Sequence, residues 1–577
     1  MVRDKQKGKH IQRGLGRGLF LNFGNVLVLI FASLTINLFS LAVPIVTLQV
    51  YDRILRYKSI DTLQVLCAGV LVIAVLDALL KFSRSSLIGW ASARFEHLAY
   101  TQSVRHIMSA NLRDIKKFSA GEQLQRLGAI SKLKSFRSGQ SLINLIDLPF
   151  VAIFLAFIGY LAGVLLFVPL VLLTLFGIFA IYTGYRTRKA LLRRDHDDDQ
   201  RINFVSESLE KIHTVKMLGL EQATLRRHEQ VHRKNVYDAY TINTINAQTS
   251  NAAALFTQVM MISMVSLGAL MVVDGQITMG ILIACVLLSG RIMQPLHRTL
   301  SFWTSMQEYQ LAQRKVDELL AVPNQERAAK TSSGRPRGHL EIKNLQFSYG
   351  GEKGPLLFKG FNLNLAPGKT IALSGPPGDG KSTLLKLIAG FYKPTSGQLL
   401  IDGKESCSYL RDELVTHVGY LPSEAEIFQG TIMDNLTGFR NELHEQAEIM
   451  ANYLGIDKVV SKLPHGYNTV LVDSQSDLLT PGMKQRITIA RVLINRPRLI
   501  LFDFADKSLD KDGYNHVFRL LGKLRGQVSM ILGSNDRNVI HLAQEEYVIE
   551  NGILISKDQS KYSNSNNTKQ RLKELRA

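Results

Sequence analysis

Residues 375–382 read Gly375-Pro376-Pro377-Gly378-Asp379-Gly380-Lys381-Ser382, a complete phosphate-binding loop of the form Gly-x4-Gly-Lys-Ser. An apolar run precedes the loop at Thr370–Ser374, and Thr383 continues into helix-forming residues. In this strand–loop–helix context, backbone N–H groups are expected to surround the phosphates of a nucleoside triphosphate. Lys381 is expected to reach the β- and γ-phosphates, and the Ser382 hydroxyl to bind Mg²⁺.

The second half of the chain has the pattern of an α/β domain. Apolar β-type runs alternate with helical segments at Leu340–Phe347, Thr370–Ser374, Leu499–Asp503, Ser529–Gly533 and Tyr547–Glu550. This alternation predicts a largely parallel sheet over residues 339–556. A polar linker is predicted at 319–338, and a polar tail at 557–577.

The first half contains long runs with almost no charge, several of them near or above the roughly 20 residues that span a bilayer. A soluble core helix is the alternative, but such a helix rarely runs this long without a charge. We predict a transmembrane domain over residues 23–318, preceded by a segment at 1–22, with six spans at about 26–50, 62–82, 142–162, 164–185, 252–273 and 276–293.

The formal net charge is +21, which raises the possibility of nucleic-acid binding, but the charge distribution argues against it. Six Lys or Arg residues stand before the first span against one acid, and residues 81–141 hold eleven against three. The short turns near 159–163 and 274–280 contain neither Lys nor Arg. This asymmetry places both termini and the long loops in the cytoplasm.

Two further features favour structural roles over metal chemistry. Cys67, Cys285 and Cys407 lack metal-ligand spacing, and two of them lie in predicted spans. They are interpreted as packing residues, not as a disulfide framework. The acidic run at 195–199 could bind a metal, although such runs more often form a solvated helix face.

The α/β half resembles the nucleotide-binding domain of ABC transporters, and the six preceding spans make residues 20–556 similar to an exporter half-transporter. The resemblance implies a multidomain membrane protein in which an all-α six-helix transmembrane domain (the type I ABC exporter fold) precedes an α/β P-loop domain. It also implies ATP and Mg²⁺ as cofactors. Tyr349 matches the aromatic residue that stacks on adenine in this family; a strand-edge tyrosine is the alternative.

Several catalytic positions depart from the family pattern. Asp503 matches the Walker B carboxylate, which positions Mg²⁺ through water. Phe504 stands where the family has its general-base glutamate, Ser423 replaces the glutamine of the Q-loop, and Asn535 replaces the switch histidine. The resemblance therefore leaves no intact catalytic residue among these three positions, while the nucleotide-binding residues remain.

The family signature is also altered. The motif Leu-Ser-Gly-Gly-Gln corresponds here to Leu479, Thr480, Pro481, Gly482 and Met483. Thr480 keeps a hydroxyl for the γ-phosphate, while Pro481 lacks a backbone N–H donor and Met483 lacks an amide. The combined departures predict a nucleotide-binding domain with impaired hydrolysis.

Residues 44–55 and 210–221 resemble segments of type I secretion permease/ATPases of Gram-negative bacteria. The resemblance implies a bacterial inner-membrane protein that contacts membrane lipid and pairs with a second ABC half-transporter, a heterodimer being favoured. A periplasmic adaptor and an outer-membrane channel are further implied partners, and nucleic acid is not. A drug or lipid exporter half and a non-transporting ATP-binding regulatory or assembly subunit remain alternatives.

Overall fold

The computed structural model describes residues 23–137, 146–324, 336–351, 354–471 and 479–557. The chain divides into a helical unit, within Met1–Ala110 and Asp114–Asn324, and an α/β unit, within Asn111–Arg113 and Gln325–Ala577. Parts of four predicted segments lie outside the described residues: the cytoplasmic segment 1–22, positions 142–145 of the third span, positions 325–335 of the linker and positions 558–577 of the tail.

Long helices dominate the first half of the chain, with a π-helical turn at Val50–Ile54 and a 3₁₀ turn at Gly163–Leu166. In chain order the helices are α1 (Phe23–Phe39), α2 (Ala42–Gln49), α3 (Leu55–Tyr57), α4 (Ile60–Ser109), α5 (Leu112–Ile115), α6 (Ala120–Arg137), α7 (Phe150–Ala162), α8 (Phe167–Glu210), α9 (Ile212–Met217), α10 (Glu221–Val273) and α11 (Met279–Leu320).

The longest helices exceed the thickness of a bilayer. α4 has 50 residues and α10 has 53, so each is about 75–80 Å long at 1.5 Å per residue, against roughly 30 Å of hydrocarbon. Their polar sequence lies at one end, as predicted for helices that continue from the membrane into water. Both helices therefore continue well beyond the thickness of a bilayer.

Within the described part of the chain, four helical stretches are long and apolar enough to cross a membrane: Leu27–Tyr57, Ile60–Ser109, Phe150–Glu210 and Glu221–Val273. Met279–Met293 is a shorter apolar segment. The third stretch contains residues 150–162 of the predicted span 142–162 and the whole of the predicted span 164–185, with the 3₁₀ turn at their junction. The six-span topology stays a prediction.

The apolar core of the helical unit lies where α7, α10 and α11 pack. Ile158, Met264, Cys285 and Leu288 are fully buried there. Cys285 is thus a packing residue, as expected from its apolar surroundings.

The acidic run on α8 forms ion pairs. Lys315 of α11 lies 2.7 Å from Asp195 and 2.8 Å from Asp199, and Asp198 pairs with Arg201 at 2.8 Å. No cluster of three metal-ligating side chains occurs among the residues that the structure describes. The acidic run therefore connects α8 to α11 through ion pairs.

The α/β unit contains two main sheets. Its strands are β1 (Leu340–Phe347), β2 (Phe358–Lys359), β3 (Leu363–Leu365), β4 (Thr370–Ser374), β5 (Ser396–Ile401), β6 (Lys404–Glu405), β7 (Val418–Leu421), β8 (Gly430–Thr431), β9 (Val470–Leu471), β10 (Leu499–Asp503), β11 (Ser529–Gly533), β12 (Glu545–Glu550) and β13 (Ile553–Ser556). Its α-helices are α12 (Lys381–Ile388), α13 (Arg411–His417), α14 (Ile432–Thr437), α15 (His444–Tyr453), α16 (Asp457–Val460), α17 (Pro481–Leu493), α18 (Lys511–Leu524) and α19 (Arg537–His541).

The larger sheet has the strand order β13-β12-β4-β11-β10-β7 and is parallel except for the edge strand β13. The second sheet, β2-β1-β5-β6 with β3 also paired to β1, is antiparallel. All five predicted strand segments are strands, with β12 beginning two residues earlier than expected. The fold class predicted for this half is confirmed.

The parallel sheet is buried on both faces, which explains its continuous apolar strands. Along β10, Ile500 and Phe502 pack into one core cluster, while Leu499 and Leu501 pack into the other. This period of two follows from the alternation of side chains along a strand. Because parallel strands end at one edge, the residues after β4, β7, β10 and β11 meet there.

A fully buried asparagine fixes the segment that follows β7. The Asn435 amide donates to the carbonyls of Phe428 and Thr431 at 2.8 and 3.0 Å, and its oxygen accepts from the Phe428 N–H and from Arg491. Asn435 therefore hydrogen-bonds to both ends of the turn from Phe428 to Thr431, which leads into α14. This turn lies shortly after Ser423 in the chain.

Replacing Asn435 with alanine should loosen this turn. The Phe428 N–H and the Phe428 and Thr431 carbonyls would lose their partner, at a cost of about 0.5–1.5 kcal/mol for each hydrogen bond, which corresponds to roughly tenfold or faster local amide exchange. Hydrogen exchange of residues 428–435 in the full chain measures the effect. The exposed Asn452 on α15 offers a matched Asn→Ala control; equal exchange in the two variants would contradict the assigned role.

Candidate nucleotide-binding site

The phosphate-binding loop connects β4 to α12. Gly378 and Gly380 have φ of 98° and 97°, in the left-handed region that favours glycine. Gly380 is the N-cap of α12, and a Cβ there would lie 3.1 Å from the Phe358 ring. The loop can therefore direct its backbone N–H groups and the helix N-terminus toward an anion.

The Lys381 side chain hydrogen-bonds to the backbone of the phosphate-binding loop. Its Nζ donates to the carbonyls of Gly375 and Pro376 at 2.8 and 2.7 Å, and the residue is 5% exposed. Burial lowers the pKa of Lys381, and the nearby charge of Asp379 acts in the opposite direction. Asp379 keeps a buried Oδ2 with no hydrogen-bond partner among the described residues. The lysine is thus held where the loop would receive a phosphate.

Asp503 is the buried carboxylate of the site. The Ser382 hydroxyl donates to its Oδ1 and the Tyr420 hydroxyl to its Oδ2, both at 2.6 Å. Burial raises the pKa of Tyr420, and the charge of Asp503 raises it further, so the phenol stays protonated as a donor. Sequence reasoning missed Tyr420, although its position at the end of a strand beside β10 was a usable signal.

These residues fit a magnesium nucleotide. The Ser382 Oγ and the Asp503 Oδ1 are adjacent hard oxygen atoms, the donor type that Mg²⁺ prefers. Mg²⁺ in nucleotide sites is commonly held by one or two protein groups, with phosphate oxygens and water completing its shell. Ser382 and Asp503 are therefore the residues that would hold the ion.

Phe504 follows Asp503 with φ of 53°, an uncommon backbone conformation for a bulky residue. Its N–H donates to the Gly533 carbonyl at 2.8 Å, which fixes the turn at the end of β10. The Lys381 Nζ lies 6.0 Å from the ring centroid, at the limit of a cation–π contact. An apolar ring thus stands beside the phosphate-binding lysine, and it cannot accept a proton.

One cavity of about 460 Å³ brings the loop together with the substituted positions. Ser423, Phe504 and Asn535 line it, along with Lys507, which sequence reasoning did not select. The loop contributes Gly375, Pro377, Gly378, Gly380, Lys381, Ser382 and Thr383. The residues predicted from four distant stretches of sequence therefore converge on one site.

Lys507 adds a second cation to this cavity. Its backbone N–H donates to the Phe504 carbonyl at 3.2 Å, so the turn after β10 places it. The residue is exposed, and its ammonium group is available to a charged ligand. A lysine four residues after Asp503 was the sequence signal for this role.

Tyr349 lies next to the loop helix. Its hydroxyl is 2.8 Å from the Thr383 Oγ1, and its ring packs edge-on against Phe347 and Tyr392. The residue remains 51% exposed, so part of the ring is accessible for stacking. Its role in holding adenine stays a prediction.

The residues of the altered signature begin α17. Thr480 is the N-cap, its hydroxyl accepting from the Met483 N–H, and Pro481 occupies the first turn, where proline is well tolerated. Leu479 and Met483 are buried in the core, and Gly482 lies against the backbone of Asp510. The described lining of the cavity includes none of these five residues. The residues Thr480, Pro481 and Met483 thus leave the start of α17 helical. Pro481 nevertheless lacks the backbone N–H donor that another residue would have there.

Comparison with known proteins places this geometry in a family. Residues 26–296 match the family described as "ABC transporter transmembrane region", and residues 358–505 match the family described as "ABC transporter". The chain belongs to the ABC transporter family. The match implies ATP binding by the α/β unit, and together with the long apolar helices it makes the chain a multi-pass membrane protein of the exporter type.

Two curated relatives match this chain over most of its length. This chain is 26% identical over 543 residues to the alpha-hemolysin translocation ATP-binding protein HlyB of Escherichia coli O157:H7, and the match covers 92% of this chain and 76% of that protein. It is 25% identical over 524 residues to the leukotoxin export ATP-binding protein LtxB of Aggregatibacter actinomycetemcomitans, covering 91% and 74%.

A solved structure of a bacterial Atm1-family ABC exporter with ATP bound has a TM-score of 0.79 to this chain. The two are 19% identical, and the match covers 92% of this chain and 94% of the other. This likeness confirms the predicted type I ABC exporter fold.

Lys507→Ala should weaken ATP binding. Loss of one partly solvated charge near a phosphate is worth about 1 kcal/mol, or roughly fivefold in affinity. Titration of the full chain with a fluorescent ATP analogue measures this change. Lys511→Ala, four residues along and also exposed, is the matched control; equal affinity in the two variants would exclude a ligand role for Lys507.

Proposed function

We propose that this chain is the ATP-binding half of an ABC exporter whose own site binds ATP with Mg²⁺ but hydrolyses it poorly. The observation that carries the proposal is the single cavity in which Lys381 and Ser382 stand beside Ser423, Phe504 and Asn535. The first two supply phosphate and metal binding. The other three occupy the positions from which hydrolysis would be assisted.

Each substitution removes a different chemical capacity. Phe504 offers no proton acceptor, and a positioned general base contributes about 10²–10⁴ in rate. Ser423 has a shorter side chain than glutamine and reaches less far toward an attacking water. Asn535 can donate a hydrogen bond to a phosphate but has no titrating proton in the physiological range. The three losses act on the same step.

Phosphate binding survives for separate physical reasons. The loop glycines, the N-terminus of α12 and the Lys381 ammonium all favour an anion without needing a base. When bound, Mg²⁺ supplies charge neutralisation at the phosphates, and Ser382 and Asp503 are the residues placed to hold it. Adenine is assigned to the accessible face of Tyr349.

The proposed assembly is a dimer of two ABC halves. In the family that this chain resembles, each ATP lies between the P-loop of one chain and the signature of the other. We favour a heterodimer with a catalytically intact half, because the site built on this chain's P-loop would retain ATP. The other site would use the partner's catalytic set against Thr480, Pro481 and Gly482 and would carry turnover.

The proposed cargo is a polypeptide exported across a bacterial inner membrane. Support comes from the relatives, whose names describe translocation of alpha-hemolysin and export of leukotoxin. The lysine- and arginine-rich loops favour cytoplasmic termini. A periplasmic adaptor and an outer-membrane channel complete the proposed route.

The purified chain alone should bind ATP yet hydrolyse it at nearly the rate of Lys381→Ala. Phosphate release in lipid nanodiscs, measured beside binding of a fluorescent ATP analogue, tests both halves of this expectation. The double variant Ser423→Gln, Phe504→Glu should hydrolyse faster, since it restores a base and a reaching amide. Ser423→Gln, Phe504→Gln is the matched control without a base. Robust wild-type turnover that disappears in Lys381→Ala would refute impaired hydrolysis.

Capture of the tagged chain from native membranes should recover a second, catalytically intact ABC half. Mass spectrometry identifies the partner, and ATPase activity of the complex should depend on the Walker B glutamate of that partner. Recovery of this chain only as a homodimer with itself would contradict the heterodimer.

A further inference from the structure

A cavity of about 500 Å³ lies inside the helical unit, far along the chain from the nucleotide site. Residues from α1, α2, α4, α7 and α11 line it, together with Asp147 just before α7. Its charged lining residues are Asp77, Lys81, Arg84, Asp147 and Arg291. All five lie within, or two residues beyond, the predicted spans. Ionisable groups at such positions are costly, and those that occur commonly mark a functional path.

One part of this charge set is a closed structural network. Arg84 lies 3.6 Å from Asp147, and the two side chains are only 9% and 8% exposed. Arg84 also donates to the Ser33 hydroxyl at 2.9 Å, and Asn37 donates to Asp147 at 3.1 Å. These bonds connect α1, α4 and the start of α7. Arg84 and Asp147 are therefore largely satisfied by the protein.

The remaining part is open to a ligand. Lys81 pairs with the Asp77 Oδ2 at 2.6 Å, while the Asp77 Oδ1 is buried without a hydrogen-bond partner among the described residues. Arg291 lines the cavity, and the described residues provide no ion pair for it. Three cations against two carboxylates leave a formal charge of +1. The cavity thus offers one cation, Arg291, that is not paired with a described residue.

Apolar side chains complete the wall. Phe39, Val43, Ile73 and Phe154 line the cavity beside the charged groups. Sites of 300–1,000 Å³ with a mainly apolar wall and a few placed polar groups are typical of ligand binding. The ligand that fits combines an apolar body with a negative charge.

We propose that this cavity binds an acidic, partly apolar segment of the exported polypeptide. A glutamate or aspartate carboxylate pairs with Arg291, and the apolar side chains next to it in the peptide cover Phe39 and Phe154. The inference rests on the proposed function in that it takes the cargo to be a polypeptide.

Arg291 is suited to this contact because its guanidinium presents a planar set of donors to a carboxylate. A hydrogen bond to a charged group is worth about 1.5–3 kcal/mol, so its loss corresponds to roughly tenfold or more in affinity. Arg291→Lys keeps the charge but not the planar donor set. It should retain part of the affinity.

The test uses the full chain in zwitterionic lipid nanodiscs and an acetylated eight-residue peptide that alternates Glu and Leu. Fluorescence anisotropy should show binding at least about tenfold tighter than for the Gln–Leu peptide. Arg291→Gln should remove this preference, Arg291→Lys should restore part of it, and Arg56→Gln, an exposed arginine outside the cavity, should leave it intact.

Three results would overturn the proposal: equal affinity for the two peptides, a Glu preference that survives Arg291→Gln, or a phospholipid retained through Arg291 that the acidic peptide does not displace. The last result would assign the cavity to lipid. Binding of a fluorescent ATP analogue is measured on every variant. If the wild-type chain binds ATP but not the peptide, only the cavity assignment is refuted. If the wild-type chain does not bind ATP, the proposed function is refuted.

Discussion

The buried carboxylate of Asp503 is the constraint on which the α/β unit depends. A charge that is 2% exposed must be neutralised or hydrogen-bonded, and here Ser382 and Tyr420 donate to its two oxygens. These donors come from α12 and β7, while the carboxylate ends β10. One side chain therefore fixes the phosphate-binding helix, the strand before Ser423 and the turn that carries Phe504. The same arrangement would present oxygen atoms to Mg²⁺.

Around this centre, the residues that bind and the residues that would catalyse have different structural supports. Lys381 and the loop are held by backbone geometry and the core beneath α12, so they tolerate changes elsewhere. Ser423, Phe504 and Asn535 follow the ends of three strands, where a side chain can change without disturbing the sheet. This separation would allow the side chains at the strand ends to vary while the nucleotide-binding residues stay in place.

The helical unit shows a similar division between support and function. Arg84 and Asp147 form a buried pair that connects helices, whereas Arg291 lines a cavity and has no ion-pair partner among the described residues. A buried pair loses much of its attraction to desolvation, so it contributes more to the arrangement of the helices than to stability. Arg291 is therefore the charged group that remains available to a ligand.

The sequence alone determined the strands of the parallel sheet, the P-loop and the long helices, because periodicity, glycine spacing and apolar length are local signals. It also identified Ser423, Phe504 and Asn535 through resemblance. It did not reveal Tyr420 or Lys507, or the cavity that joins Asp77 to Arg291, since these depend on contacts between residues tens to hundreds of positions apart. The effect of Pro481 also depends on the structure. Because Pro481 lies in the first turn of α17, it removes a backbone N–H donor without breaking the helix. These features depend on tertiary packing, because only packing brings the ends of separate strands and helices within hydrogen-bonding distance.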